Sequence, residues 1–151
     1  MSREELARRQ ADLVAALVLG APTPPGFDDR LVRVAARALT RKRAADAATQ
    51  WPLLRAHHGT TWLAAFERWS AGRAPQGALR DGWDLARAIR DRLGPAARRE
   101  LAEREVSWRY RGTAPPVRRR APALRLVGST VVVQLAGRVR VFGLPQAHVA
   151  R

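Results

Sequence analysis

The stretch WPLLRAHHGTTWLAAFERWSAGRAPQGALRDGW, residues 51–83, decides the fold, because it carries four of the five tryptophans of the 151-residue chain. Trp62, Phe66 and Trp69 follow i, i+4, i+7 spacing, which places three large rings on one face of a helix. Rings of this size each bury on the order of 150–250 Å². We therefore predict a structural core for a helical region made by five aromatic residues: Trp51, Trp62, Phe66, Trp69 and Trp83.

Helical patterns extend outward from this stretch in both directions. Gly20 is placed to end a first helix, and Asp28 and Asp81 are placed to cap the starts of later ones. Proline and glycine interrupt the apolar periodicity between the segments. The patterns predict an N-terminal bundle of about five helices: residues 3–20, residues 28–48, a third that carries the Trp62 stripe, residues 81–93 and residues 95–105.

The apolar period changes from 3.6 to 2 at Val106, where Val106, Trp108 and Tyr110 alternate with polar residues. This alternation predicts a half-buried strand, followed by a Pro/Arg-rich extended linker over residues 112–122. Three strands of a small antiparallel meander are then expected over residues 124–127, 130–135 and 138–142, with a type II′ turn at Gly128-Ser129 and a second turn at Ala136-Gly137. Residues from Gln146 onward are expected to be frayed.

The fold class predicted from these patterns is α+β, with a helical domain over residues 1–105 and a basic β-meander appendage over residues 106–151. Because the linker is rich in proline, it permits the meander either to pack on the helices or to move independently. No apolar segment approaches the roughly 20 residues that span a bilayer. The apolar run near Leu13 is amphipathic and follows acidic residues, unlike a signal peptide. We expect a soluble cytoplasmic bacterial protein.

The charge of the chain is distributed unevenly. Residues 1–105 contain 19 Lys and Arg against all 13 acids, whereas residues 106–151 contain 9 Arg and no acid. A one-signed region of this length attracts nucleic acid, an acidic peptide or an acidic protein surface. Because 27 of the 28 basic residues are arginine, the bias of a GC-rich genome is an alternative explanation.

Catalytic signatures are missing from the sequence. The absence of cysteine excludes disulfides, thiolate metal sites and cysteine nucleophiles. His57 and His58 are adjacent and point about 100° apart on a helix, His148 is isolated, and no phosphate-binding glycine loop or nucleophile elbow occurs. We expect no enzyme activity, no cofactor and no metal.

The best binding candidates are arginines of the C-terminal region, because the guanidinium group makes bidentate contacts with carboxylate or phosphate. A solvated linker is the alternative explanation for the run from Arg118 to Arg120. Trp108 and Tyr110 have the spacing of core residues, although they could stack on bases. The predicted partner-binding or peptide-binding residues are Arg109, Arg111, Arg118, Arg119, Arg120, Arg125, Arg138 and Arg140.

Several landmarks along the chain resemble a family of small actinobacterial proteins. These landmarks are Gln10, Pro25–Phe27, Arg41–Ala44, Trp51-Pro52, Trp62 with Phe66 and Trp69, Asp81–Ala86, Pro122–Arg125 and Val132–Arg140. The family, often labelled as a DNA-binding domain, comprises the accessory partners of multinuclear non-heme iron oxidative enzymes of the bacteriocin-maturase type. In some members a similar segment is the C-terminal domain fused to such an enzyme.

The resemblance implies a non-catalytic role in the biosynthesis of ribosomally made, modified peptides. The partner enzyme would hold the iron, and this chain would recognise an acidic precursor peptide or dock onto the metalloenzyme. An exposed edge strand of the meander, over residues 124–127 or 138–142, could accept a peptide by β-augmentation, assisted by the run from Arg118 to Arg120.

Two other functions are compatible with the sequence. One is nucleic-acid binding in a regulatory role, with phosphates contacted by cations of the second helix: Arg33, Arg37, Arg41, Lys42 and Arg43. Against it, no helix-turn-helix spacing is clear. The other is a purely structural scaffold.

Overall fold

The computed structural model describes residues 2–112 and 114–143 of the chain. Its architecture is α+β, as predicted, with the helices first and two small antiparallel sheets after them. The predicted fraying after Gln146 and the position of His148 lie outside the described residues. The helices are α1 (Arg3–Leu19), α2 (Asp29–Gln50), α3 (Pro52–His58), α4 (Trp62–Ser70), α5 (Ala78–Ala88) and α6 (Pro95–Ser107). The strands are β1 (Trp108–Arg109), β2 (Val117–Arg118), β3 (Ala123–Val127), β4 (Thr130–Leu135) and β5 (Arg138–Gly143).

The first two helices begin and end at polar caps that the sequence indicates. The Ser2 hydroxyl accepts from the amide of Glu5 at 3.1 Å, and the Glu5 carboxylate accepts from the amide of Ser2 at 3.4 Å. This capping box satisfies two amides that would otherwise lack partners. Gly20 ends α1 with φ of 73°, and the Asp28 carboxylate accepts from the amide of Leu31 at 3.0 Å at the start of α2.

Contacts divide the chain into two compact units, the first ending at Leu85 and the second beginning at Ala86. The core of the first unit contains the rings of residues 51–83. Trp51, Phe66 and Trp83 are fully buried, Trp62 is 7% exposed and Trp69 is half-buried. Two of the indole nitrogens donate to backbone carbonyl groups. Trp51 Nε1 donates to the Leu79 carbonyl at 2.9 Å, and Trp62 Nε1 donates to the Ala44 carbonyl at 3.1 Å.

The predicted capping role of Asp81 is wrong. Helix α5 begins at Ala78, so Asp81 lies inside the helix and its amide donates to the Gly77 carbonyl at 2.9 Å. Its carboxylate is 2% exposed and accepts from Arg43 of α2 at 2.6 and 2.9 Å. The Asp81 carboxylate therefore binds a guanidinium group 38 residues away in the sequence instead of capping the helix. Local sequence spacing does not reveal such a partner.

The predicted strand from Val106 to Tyr110 is also wrong at its start. Helix α6 continues to Ser107, and Val106 is buried as a helical residue against Ala102 and Val132. Only Trp108 and Arg109 form a strand there. Burial of Val106 on the same helical side as Ala102 explains why a period-2 pattern was overridden by packing.

Part of the predicted extended linker forms a strand. Val117 and Arg118 make up β2, which pairs antiparallel with β1 in the register Trp108↔Arg118 and Arg109↔Val117. The amide of Arg119 donates to the Ser107 carbonyl at 2.8 Å and continues the connection between the two segments. These bonds hold the backbone of Arg118 and Arg119, while the side chains of Arg118 and Arg120 are exposed.

The predicted meander is confirmed, with strand order β3-β4-β5. Gly128 has φ of 57° in the first turn, as a type II′ turn requires, and Ala136 and Gly137 have φ of 49° and 79° in the second, as a type I′ turn requires. Helix α6 packs on this sheet within the second unit. The sequence analysis placed the division at residue 106, whereas the second unit begins at Ala86. The unit includes α6 because this helix covers Val132 of the sheet.

None of the helices in residues 2–112 and 114–143 combines the length and the apolar character that crossing a membrane would require.

Candidate anion-binding site

A buried carboxylate surrounded by arginines lies in the second unit. The Glu105 side chain is 8% exposed. Its Oε1 accepts from Arg87 Nε at 3.2 Å and from Arg90 Nη2 at 2.6 Å, and its Oε2 faces Arg125 Nε at 3.4 Å. Three guanidinium groups share one carboxylate, so this centre keeps an excess of positive charge.

Four elements bring these groups together, and one of them is the short 3-10 helix Arg90–Arg92, which supplies Arg90. Glu105 lies in the last turn of α6, Arg87 lies at the end of α5, and Arg125 lies in the middle of β3. Arg125 pairs directly with the fully buried Val132, and directly paired residues lie on the same face of a sheet. The Arg125 side chain therefore leaves the sheet on the side of α6, where Glu105 is.

A cavity of about 350 Å³ opens beside Glu105. Its wall contains a single carboxylate and five arginines: Arg87, Arg109, Arg111, Arg119 and Arg125. Tyr110 lies in the same wall, with the Arg87 guanidinium 5.2 Å from its ring centroid. Among the described residues, Arg109 and Arg111 form no ion pair, and both are exposed. Arg119 of the same wall also forms no ion pair with a described acid, and its Nε donates to the Glu105 backbone carbonyl at 3.3 Å, so three cations of the wall lack an acidic partner.

A second, larger cavity of about 560 Å³ adjoins the first through Arg109 and Arg119. It is lined by Arg109, Val117, Arg118, Arg119, Arg120 and Ala121. The Arg118 guanidinium lies 4.9 Å from the ring centroid of Trp108, its partner across the β1–β2 ladder. The cation–π contact and the ladder together hold this arginine at the rim.

The structure thus gathers six of the eight predicted binding arginines around these two cavities. Arg138 and Arg140 line neither, and both lie exposed on β5. The sequence analysis did not predict Arg87, Arg90 and Glu105 as site residues. It selected binding residues from the acid-free region 106–151, and these three residues precede it. The one signal for Glu105 is that it is the last acid before 46 residues without any.

Three of the five α2 cations that were predicted to contact phosphates have acidic partners of their own. Arg33 pairs with Asp29, Lys42 Nζ lies 2.7 Å from an Asp46 oxygen, and Arg43 pairs with Asp81. Arg37 and Arg41 are exposed and form no ion pair with a described acid. Two of the five predicted cations are therefore unpaired, and Arg30 of the same helix is also exposed and forms no ion pair with a described acid.

The remaining candidate groups of the sequence do not converge. The His57 and His58 rings contact one another edge to face at 5.1 Å, and His58 packs 5.8 Å from Trp62. Within residues 2–112 and 114–143, no three His, Asp or Glu side chains come together as a metal-binding group would require.

The second unit is therefore an α+β module with an arginine-lined cavity suited to a carboxylate or phosphate group. Residues 7–91 match the family model described as SCO6045-like, C-terminal domain, which covers more than half of the chain. The chain belongs to this family.

A longer relative contains a similar segment. The chain is 37% identical over 133 residues to a UPF0276 protein of Streptomyces avermitilis, in an alignment covering 85% of this chain and 26% of that protein. The chain thus spans about a quarter of the relative's length. Neither name specifies a reaction, a ligand or a partner. No solved structure shows significant similarity to the chain.

Proposed function

We propose that this protein is a non-catalytic accessory protein that binds an acidic segment of a precursor peptide and docks onto an iron-dependent peptide-modifying enzyme. The observation that carries the proposal is the arginine-lined cavity beside Glu105, in which Arg109 and Arg111 have no described acid as partner. A carboxylate entering it would meet two guanidinium groups without acidic partners and a field that the shared Glu105 does not neutralise.

The comparison with the longer relative supports the docking part of the proposal. In that protein a segment 37% identical to this chain occupies about a quarter of one polypeptide. A segment that forms part of a longer chain in a relative is expected to associate with the remainder of that chain. The resemblance noted from the sequence supplies the nature of that remainder, an iron enzyme acting on a peptide.

The sheet adds a second element of peptide recognition. Strands β3 and β5 are the edges of the order β3-β4-β5, and both edges present backbone groups that can accept an added strand. Arg125 of β3 reaches the cavity beside Glu105. A peptide added along β3 would therefore lie next to the arginines that bind its acidic side chains.

The experiment is a fluorescence anisotropy titration of the full chain with a labelled twelve-residue peptide rich in Asp and Glu, and with its Asn/Gln counterpart. We expect the acidic peptide to bind and the neutral one not to bind. Replacing Arg109 and Arg111 together by Ala should weaken binding at least tenfold, which corresponds to about 1.4 kcal/mol.

The matched control replaces Arg37 and Arg41 of α2 by Ala, which lowers the net charge by the same two units. This control separates a defined site from general attraction to a strongly basic protein. Equal loss of affinity in the two double variants would contradict the proposed site.

Nucleic-acid binding is the second candidate, favoured by the half-exposed Trp108 with Arg118 stacked on it, a combination that also binds unpaired bases. The same titration with a single-stranded oligonucleotide at increasing salt tests it. Phosphate binding falls linearly on a log–log plot with a slope set by the number of contacts. An oligonucleotide that binds more tightly than the acidic peptide at every salt concentration would favour this alternative.

A further inference from the structure

The three-stranded sheet has an outer face, directed away from α6, that is strongly apolar. Directly paired residues lie on one face of a sheet, and Val132, buried in the core with Ala102 and Val106, marks the inner one. The paired sets Leu124↔Val133↔Arg140, Leu126↔Val131↔Phe142 and Leu135↔Arg138 belong to the other face. We call the set Leu124, Leu126, Val131, Val133, Leu135 and Phe142 the outer apolar face.

Exposure on this face is high. Leu124, Leu126, Leu135 and Phe142 are 57%, 62%, 62% and 54% exposed, and Val131 and Val133 between them are half-buried. Contiguous apolar patches of several hundred Å² are uncommon on monomeric proteins and mark interaction surfaces. Scattered exposed leucines would need no explanation, but these side chains are neighbours on one flat surface.

We propose that the outer apolar face docks onto a separate, larger polypeptide, equivalent to the part of the Streptomyces relative outside the matched segment. This inference rests on the proposed accessory function and assigns a surface to it. The partner is required to present an apolar patch bordered by carboxylates, because Arg138 and Arg140 flank the face on β5 and are exposed.

Charge argues against a second copy of this chain as the occupant. Residues 106–151 contain no acid, so nothing on the meander can neutralise the two arginines of an opposing copy. A symmetric pairing through this face would bring arginines of like charge into one apolar interface, where unpaired charges are costly. A partner with acids at its rim removes that cost.

The outer apolar face and the arginine cavity lie on opposite sides of β3. Successive side chains of a strand alternate between faces, so Leu124 and Leu126 point away from the side on which Arg125 meets Glu105. Both surfaces can therefore be occupied at once. Peptide held at the arginines would be carried to the partner bound on the other face.

The test is affinity capture from a lysate of the native host with the full chain as bait, with identification of the captured protein by mass spectrometry. The informative variant is Leu124→Asp with Leu126→Asp, which changes two exposed side chains and none of the core. A second variant, Arg138→Glu with Arg140→Glu, keeps the apolar residues and reverses the rim charge. The variant Arg109→Ala with Arg111→Ala serves as the comparison, and thermal unfolding confirms that all three are folded.

We expect capture of a protein that aligns with the relative outside the matched segment. Its affinity, remeasured with the purified full-length partner, should fall at least tenfold in both outer-face variants and less than twofold in the Arg109/Arg111 variant. No such protein, or one whose binding is unaffected by the outer-face variants, overturns the docking surface. Self-association of the bait in light scattering that the Leu124/Leu126 variant abolishes also overturns it, in favour of a second copy.

These outcomes are separable from those of the peptide titration. Loss of docking with normal binding of the acidic peptide would leave the arginine cavity intact as a peptide site. Normal docking with no peptide binding would keep the outer apolar face and refute peptide recognition at the cavity.

Discussion

Arg43 and Asp81 form a two-pronged ion pair inside the first unit, with Nε to Oδ2 at 2.6 Å and Nη2 to Oδ1 at 2.9 Å. The guanidinium also donates to the Arg73 carbonyl at 2.8 Å and lies 5.7 Å from the Phe66 ring centroid. The pair joins α2 to α5 and to the loop before it. Two landmarks of the family resemblance, Arg41–Ala44 and Asp81–Ala86, thus meet as a structural contact rather than as a binding site.

Replacing Arg43 by Ala should destabilise the first unit by about 3–5 kcal/mol, because it leaves the Asp81 carboxylate buried without its cation. Urea unfolding followed by tryptophan fluorescence measures this, since four of the five tryptophans lie in that unit. Lys42→Ala is the matched control: its pair with Asp46 is exposed, and such pairs contribute less than about 1 kcal/mol. Similar losses in the two variants would show that the buried pair has no special role.

Gly82→Ala should destabilise the protein by at least about 2 kcal/mol, although alanine is ordinarily the better helix residue. A Cβ at Gly82 would lie 2.1 Å from Cδ1 of Trp51, which is fully buried and held by its bond to the Leu79 carbonyl. The control is Gly143→Ala, where nothing lies within 4 Å of the added carbon. An unchanged unfolding midpoint for Gly82→Ala would mean that Trp51 does not pack as described.

Glu105→Gln should have opposite effects on stability and on binding. The second unit should lose about 2 kcal/mol, because charge-assisted bonds to Arg87, Arg90 and Arg125 become bonds to a neutral amide. Affinity for the acidic peptide should rise about three- to tenfold, because the competing negative charge is gone. Anisotropy at low salt measures the second effect, and an unchanged or weaker affinity would contradict a ligand site beside Glu105.

Ala136→Asn should stabilise the sheet by about 0.5–1 kcal/mol. Ala136 has φ of 49°, a conformation that costs alanine energy and that Asn-Gly adopts readily in type I′ turns. Amide hydrogen exchange across β4 reports the change locally. The corresponding change Ser129→Asn, in a turn where only Gly128 has positive φ, is expected to leave the exchange rates nearly unaltered.

The sequence was most informative where local chemistry decides the structure. Ser2, Gly20 and Asp28 act at helix ends through residues within three or five positions of themselves, and the turns at Gly128 and Ala136 depend on neighbouring dihedral angles. Such signals are contained in short windows. The meander and the α+β class followed from them directly.

Long-range partners could not be predicted in the same way. Asp81 has the residue type and the sequence position expected of an N-cap. Only its contact with Arg43, 38 residues earlier, shows that it is instead the buried partner of an ion pair. Val106 alternates with polar residues like a strand residue, yet burial with Ala102 and Val132 keeps it helical. The charge pattern located the arginines, but the carboxylate at their centre, Glu105, comes from the preceding helix and required the tertiary fold.

The most direct test of the account is an NMR titration of the full chain with the acidic peptide, observing the arginine Nε–H signals. We predict that the largest shifts occur at Arg109, Arg111 and Arg119, with little change at Arg37 and Arg41 of α2. Shifts spread evenly over all exposed arginines, or concentrated on α2, would contradict a defined peptide site in the second unit.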